Sequence, residues 1–145
     1  MYANVDDMVS RYGETEMLRL SVADGCLPDA DTPMPTARII QAIDDAGRLI
    51  ESYLRRRYPM PVVQAPAELV RAACILARYD LALGGDREPS EQMRLARKEV
   101  LAWLAQVGAG EASLEGIALL STGSSARVSD RPPAFPPAFR SEGRL

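Results

Sequence analysis

The stretch TARIIQAIDDAGRLIESYLRRRY, residues 36–58, carries the clearest structural pattern in the chain. Its apolar residues recur at alternating spacings of four and three, which places them on one side of an α-helix. Thr36 is the expected N-cap, and Pro59 disfavours helical geometry at the preceding residue, so a helix over 36–57 is predicted. The apolar stripe consists of Ile39, Ile43, Ala46, Ile50 and Tyr53, widened by Ile40 and Leu54.

Two further long helices follow. Residues 66–83 begin with a proline in a first-turn position and are apolar on most sides, as expected for a helix in the middle of a bundle. Residues 89–107 repeat the helical spacing with Trp103 facing inward, and Gly108 is the expected C-terminal cap. The three long helices together predict a bundle.

Two short helices are predicted before the bundle. Asn4 is a suitable N-cap for the first of them, and Gly13 is a natural end. The second runs from Glu14 to about Leu20, and the prolines and glycine of residues 24–36 then indicate a loop. The predicted fold is therefore all-α, a small bundle of about five helices, two short and three longer.

The end of the chain differs in kind from the rest. A tandem Pro-Pro-Ala-Phe repeat occupies residues 132–139, after a segment rich in serine. Such a segment builds no core of its own, while its prolines favour an extended form that loses little entropy on binding. We therefore divide the chain into a helical domain, residues 1–120, and an extended C-terminal arm, residues 121–145. Docking to a partner and an ordinary frayed terminus are both open interpretations of this arm.

The composition excludes several kinds of chemistry. Histidine is absent, which removes Ser-His-Asp and Cys-His catalysis and histidine metal ligands. The two cysteines, Cys26 and Cys74, are too few for a four-cysteine zinc site or a disulfide framework. We therefore expect that the protein is not an enzyme and that it has neither a cofactor nor a metal site. Since the sequence has no run of 18 apolar residues, we also expect no membrane-spanning helix.

Charge is distributed unevenly along the chain, whose formal net charge is −3. Residues 1–36 hold seven acidic and two basic side chains, whereas residues 37–110 hold nine acidic and eleven basic ones. The strongest cluster, Arg55–Arg57, has three interpretations: phosphate contact, a complement to the dipole at a helix C-terminus, or a salt bridge between subunits. Consecutive helical residues point in different directions, which favours the second interpretation.

A series of short motifs follows one another along residues 2–116. The motifs are Arg11-Tyr12-Gly13-Glu14, Glu16-x-Leu18, Tyr53-Leu54-x-Arg56-Arg57-Tyr58-x-x-Pro61, Leu69-x-x-Ala72-Ala73-Cys74-x-x-Ala77-Arg78-Tyr79, Val100-x-x-Trp103-Leu104, Gly108-x-Gly110 and Ser113-Leu114. In this order they resemble the Mu-like phage head–tail connector family, and the ordered set carries the resemblance rather than any single motif. The arm and the Pro-rich loop at 24–36 lie outside it.

The resemblance implies a non-enzymatic virion protein, made in the host cytoplasm and placed in the neck of a tailed phage. Such adaptors form a ring, commonly of twelve copies, between the portal protein and a tail-proximal neck or terminator protein. Double-stranded DNA passes through the ring without being read. Their C-terminal arms commonly engage the portal, so the residues expected to dock here are Arg127, Arg131, Phe135, Phe139 and Arg140.

A ring of this kind closes through head-to-tail contacts, and opposite charges suit the two contacting faces. The alternative from another class is a small helical regulatory or nucleic-acid-binding module. A helix-turn-helix, however, needs a shorter connector than residues 59–66 or 84–89 provide. The candidates for contacts between subunits are the acidic Asp6, Asp7, Glu14 and Glu16 and the basic Arg55, Arg56 and Arg94.

Overall fold

The computed structural model describes residues 1–22, 27–84 and 86–120. Within these residues the chain forms five α-helices and no β-strand, as the hydrophobic periodicity predicts. Two short helices precede three longer ones, which confirms the predicted order. The helices are α1 (Val5–Tyr12), α2 (Glu14–Ser21), α3 (Thr36–Leu54), α4 (Ala67–Ala82) and α5 (Glu91–Ala109).

The core lies between α3, α4 and α5. The predicted stripe of α3 is buried at Ile39, Ile43 and Ile50, and Leu54 extends it. Ile40 does not belong to the stripe, because 43% of its surface is exposed. α4 is the most deeply enclosed helix, and its small residues let both neighbours approach closely. Its buried residues are Leu69, Ala72, Ala73, Cys74, Leu76, Ala77, Leu81 and Ala82.

The start of α1 follows the sequence prediction. The side chain of Asn4 accepts a hydrogen bond from the Asp7 backbone N–H at 2.9 Å. The Asp7 carboxylate in turn accepts one from the Asn4 N–H at 2.9 Å, which completes a capping box. Gly13, with φ of 88°, ends α1 and directly precedes α2. A glycine adopts such a positive φ without steric cost, which lets the two helices meet at one residue.

Several predicted helix boundaries are wrong. Pro66 is the N-cap of α4 and not a first-turn residue, and α5 begins at Glu91. Thr36 is the first residue of α3 rather than its cap, because the Pro35 carbonyl already accepts a hydrogen bond from the Arg38 N–H. At the other end α3 stops at Leu54, and Arg55–Arg57 form a turn. Gly108 lies inside α5, and Gly110, with φ of 91°, is the left-handed residue that ends the helix.

Two arginines cap the C-terminal end of α2. Arg87 donates from Nη1 to the carbonyls of Arg19 (2.9 Å) and Leu20 (3.1 Å), and from Nη2 to that of Val22 (2.9 Å). Arg38 donates from Nη1 to the carbonyls of Val22, at 3.0 Å, and of Ser21, at 3.3 Å. Cations at a helix C-terminus satisfy carbonyls that the helix leaves unpaired and complement its dipole. Side chains from other parts of the chain thus fasten the N-terminal helices to the bundle.

Tyr2 attaches the N-terminus to the middle of the chain. Its ring is buried, and its hydroxyl donates to Glu51 Oε1 at 2.9 Å and accepts from the Val62 N–H at 3.4 Å. Burial is the main reason that its pKa rises to about 12, and the Glu51 carboxylate adds to the increase. The neutral phenol is therefore the form that the fold stabilises.

We expect Tyr2 to make the stability of the protein depend on pH in the alkaline range. Because its pKa is raised from 10.0 to about 12, its contribution is complete below pH 10 and is lost as the pH rises through 12. Two pKa units correspond to at most about 3 kcal/mol. Tyr2→Phe lacks the ionisable group, so its free energy of unfolding in urea should decrease less between pH 10 and 12 than that of the wild type. Equal decreases in both proteins would contradict this assignment.

Candidate interaction surfaces

The arginine cluster at the end of α3 divides into two parts. Arg57 turns inward, where its Nη1 donates to the Val107 carbonyl at 2.7 Å and to the Ala112 carbonyl at 3.0 Å. Arg55 and Arg56 are exposed and make no hydrogen bond or ion pair with the described residues. An arginine therefore does lie at a helix C-terminus, where its charge complements the helix dipole. The helix is α5, however, and not α3, which Arg57 follows in the chain.

Residues 110–120 return across the end of α3. The hydroxyl of the buried Tyr58 accepts a hydrogen bond from the Leu114 N–H at 3.0 Å, and Leu114 is itself buried. At the end of this segment the Leu120 N–H donates to the Arg57 carbonyl at 2.7 Å. Leu120, the last described residue, is thus fixed to the bundle beside Arg57.

An apolar groove lies next to this point. Its volume is about 370 Å³, and it separates the connector between α3 and α4 from residues 116–118. Val63 is 94% exposed at its edge, and Leu119 and Leu120, which follow Ala118 in the chain, are 52% and 40% exposed. Several large apolar residues grouped on a surface are typical of a contact with another protein. The groove is lined by Pro59, Pro61, Val62, Val63, Gln64, Gly116, Ile117 and Ala118.

The acidic candidates for subunit contacts also divide. Asp7 is engaged in the capping box, and Glu16 accepts from Arg78 at 2.6 Å. Arg78 also lies 4.4 Å from the centre of the Tyr12 ring, so it holds α1, α2 and α4 together. Asp6 and Glu14 are exposed and make no such bond within the described part of the chain.

The remaining basic candidate, Arg94, forms an ion pair with Glu88 at 3.2 Å. Both side chains are well exposed, so this pair contributes little to stability and leaves Arg94 accessible. Of the seven predicted contact residues, four have no partner among the described residues and three are engaged within the chain. The four are Asp6, Glu14, Arg55 and Arg56.

Other sites named from the sequence fall in different places. The predicted docking residues Arg127, Arg131, Phe135, Phe139 and Arg140 lie outside the described residues, as does Cys26. Cys74 is fully buried, as predicted for a small core residue, and burial raises the pKa of its thiol. Within residues 1–22, 27–84 and 86–120 there is no cluster of metal-ligating side chains, and no helix is long and apolar enough to cross a membrane.

The sequence interpretation missed the contacts that hold residues 110–120. Tyr58 and Leu114 are distant in sequence, and nothing in their spacing indicates that they meet. A partial signal was available in Tyr58, because a tyrosine buried at the end of an apolar helix needs a hydrogen-bond partner for its hydroxyl.

Comparison with known proteins gives one consistent result. Residues 2–128 match the model of the family described as Bacteriophage Mu, Gp36. The chain is 32% identical over 114 residues to the Mu-like prophage FluMu protein gp36 of Haemophilus influenzae, covering 79% of this chain and 75% of that protein. It is also 32% identical over 113 residues to gene product J of Escherichia phage Mu, covering 76% and 73%.

Proposed function

Because the chain belongs to the bacteriophage Mu Gp36 family, we propose that this phage protein is a head–tail connector. In this proposal it is a structural, non-enzymatic subunit of the virion neck. About twelve copies form a ring between the portal and a tail-proximal neck or terminator protein, and double-stranded DNA passes through the lumen without sequence-specific contacts. The order of motifs that resembles such connectors supports this assignment, and the surface of the bundle agrees with it.

The observation that supports the proposal best is the place where the arm begins. A docking arm has to be attached firmly to its own subunit if it is to hold two large assemblies together. Leu120 provides such a root, because its N–H is bonded to the Arg57 carbonyl and Arg57 is bonded to the end of α5. The exposed Val63, Leu119 and Leu120 add apolar surface close to this root. Arg127, Arg131, Phe135, Phe139 and Arg140 of the arm are the proposed contacts with the portal.

Deleting residues 126–145 tests the arm directly. We expect the shortened protein to keep the helical circular dichroism of the full chain and to unfold cooperatively, because the core of the bundle lies within residues 1–120. We also expect its cosedimentation with portal-bearing heads to be lost. A replacement of the same residues by a Gly/Ser segment of equal length is the matched control, and it should fail in the same way. Attachment by either variant would overturn the role of the arm.

Contacts between neighbouring copies are proposed to join the exposed Arg55 and Arg56 of one subunit to Asp6 and Glu14 of the next. Asp7, Glu16 and Arg94 are weaker candidates, because each has a partner within its own chain. A heterologous contact of this kind repeats around an axis and closes into a ring. Exposed charges attract less as salt increases, since the Debye length falls from about 10 Å at 0.1 M to about 3 Å at 1 M.

Light scattering coupled to size exclusion tests this pairing. Arg55→Glu combined with Arg56→Glu should prevent ring assembly, and so should Asp6→Arg combined with Glu14→Arg. Mixing the two variants should restore contacts at the complementary faces and give assembled species again. Rings that form equally well with either variant, and equally well at 0.1 M and 1 M salt, would show that other residues form the contact.

A further inference from the structure

A second groove lies between α4 and α5, on a side of the bundle that the proposed function does not use. Its volume is about 460 Å³. Ile75 of α4 and Val100 and Trp103 of α5 form its apolar floor, and Arg11 of α1 borders it. Trp103 was expected to lie in the core, yet it is only half-buried and faces this groove. A partly exposed tryptophan on an apolar floor is typical of a binding surface for another segment.

The rim of this groove carries charges of both signs. Glu68, Arg71 and Glu99 line it and are exposed. None of the three makes a hydrogen bond or an ion pair with another described residue. An apolar floor with two accessible carboxylates at its edge suits a ligand that combines aromatic or proline rings with basic side chains.

The chain itself contains a segment with this chemistry. Residues 131–140 read Arg-Pro-Pro-Ala-Phe-Pro-Pro-Ala-Phe-Arg, so an arginine flanks the tandem repeat on each side. Proline-rich segments bind in grooves lined by aromatic rings, because their extended form is largely present before binding. The two phenylalanines match the apolar floor, and Arg131 and Arg140 match the carboxylates of Glu68 and Glu99.

The length of the chain permits this contact. Leu120 is held at the end of the bundle where α3 ends and α4 begins, and Gly108 places the end of α5 against Tyr53 at the same end. Trp103 is five residues before Gly108, which corresponds to a rise of about 8 Å along the helix. The fifteen residues from Leu120 to Phe135 span up to about 50 Å when extended, well beyond the ~28 Å length of α5.

We propose that in the free subunit residues 131–140 bind the α4–α5 groove of their own chain. Phe135 and Phe139 pack on the floor beside Trp103, and Arg131 and Arg140 pair with Glu68 and Glu99. The contact keeps two phenylalanines off the surface before assembly, and an arm engaged by another protein has to leave it. The groove is thus a storage site for the arm, separate from the contact that the arm makes in the neck.

Trp103 makes the proposal directly measurable, because it is the only tryptophan in the chain. In the full chain, Phe135→Ala combined with Phe139→Ala should shift its emission to longer wavelength. The same variant should raise its acrylamide quenching constant about two-fold, because the indole loses its aromatic cover. Ser124→Ala combined with Ser125→Ala, in the same arm but outside the repeat, should leave both values unchanged. Emission and quenching that do not respond to loss of the phenylalanines would overturn the proposal.

A photo-crosslink locates the contact independently. Benzoylphenylalanine in place of Phe139 in the full chain should react with residues 67–75 or 96–103, as identified by mass spectrometry of the monomer band. Glu68→Arg combined with Glu99→Arg should decrease that yield several-fold, while Glu91→Arg, at the other end of α5, should not. Crosslinks confined to other helices, or found only between two copies, would refute binding within one chain. Neither outcome bears on portal attachment, which the deletion of residues 126–145 tests separately.

Discussion

Arg57→Ala is expected to lower the free energy of unfolding by about 3 kcal/mol. The substitution removes two hydrogen bonds from a charged donor, each of which contributes about 1.5–3 kcal/mol, and hydrogen bonds from water to the freed carbonyls offset part of the loss. The guanidinium holds the Val107 and Ala112 carbonyls, at 2.7 and 3.0 Å, and thereby joins α3 to the end of α5. Its loss leaves both carbonyls without that donor. Urea unfolding followed by circular dichroism measures the change.

Two variants serve as controls, one at the neighbouring Arg56 and one at Arg57 itself. Arg56→Ala removes an exposed arginine with no partner among the described residues, so its effect should stay within about 0.5 kcal/mol. Arg57→Lys keeps the charge but lacks the planar fork, so it should recover less than half of the loss. If Arg57→Ala and Arg56→Ala unfold at the same urea concentration, the role assigned to Arg57 is wrong.

Gly108→Ala is the second substitution with a large expected effect. A Cβ at position 108 would lie 2.6 Å from the backbone carbonyl oxygen of Tyr53, closer than side-chain atoms tolerate. The neighbour is backbone and not a flexible side chain, so α3 and α5 have to separate. Overpacking of this kind costs about 1–3 kcal/mol, and we expect a net loss of about 2 kcal/mol after the gain in helix propensity.

Gly47→Ala provides the matched control for this prediction. Gly47 also lies inside a long helix, but its added Cβ would be 3.6 Å from the Tyr2 ring, an ordinary contact distance. Replacing a helical glycine by alanine there should be neutral or should stabilise the protein by up to about 1 kcal/mol. The thermal unfolding midpoint should therefore fall in Gly108→Ala and stay the same or rise in Gly47→Ala. A Gly108→Ala variant as stable as the wild type would contradict the close approach of the two helices.

The sequence predicted the number, order and type of the helices because each depends on local patterns. The 4-3 spacing around Ile43 indicates a buried face without reference to any other part of the chain. Asn4 was likewise recognisable as a cap, since its partner Asp7 is three residues away. Helix ends were less predictable. Gly108 and Gly110 have the same residue type two positions apart, and only the packing against Tyr53 decides which of them lies inside the helix.

Long-range polar contacts were not predictable in the same way. Residues 55–57 are all arginines, yet only Arg57 faces the end of α5, where it bonds to Val107, fifty residues further along the chain. The direction of each side chain depends on where the turn after Leu54 places it, and a run of identical residues contains no such information. For the same reason the contact candidates could be named as a set but not divided into residues engaged within the chain and residues left accessible.

The capping of α2 by Arg87 has a consequence for folding during synthesis on the ribosome. Synthesis proceeds from the N-terminus, so α1 and α2 emerge long before the side chain of Arg87 that satisfies the last carbonyls of α2. An isolated helix of eight residues is marginal in water. Residues 1–22 therefore lack the Arg87 contacts, and α2 stays marginally stable, until more than half of the polypeptide has been made. We expect the N-terminal pair to become fixed on the bundle only after the segment that carries Arg87 has been made.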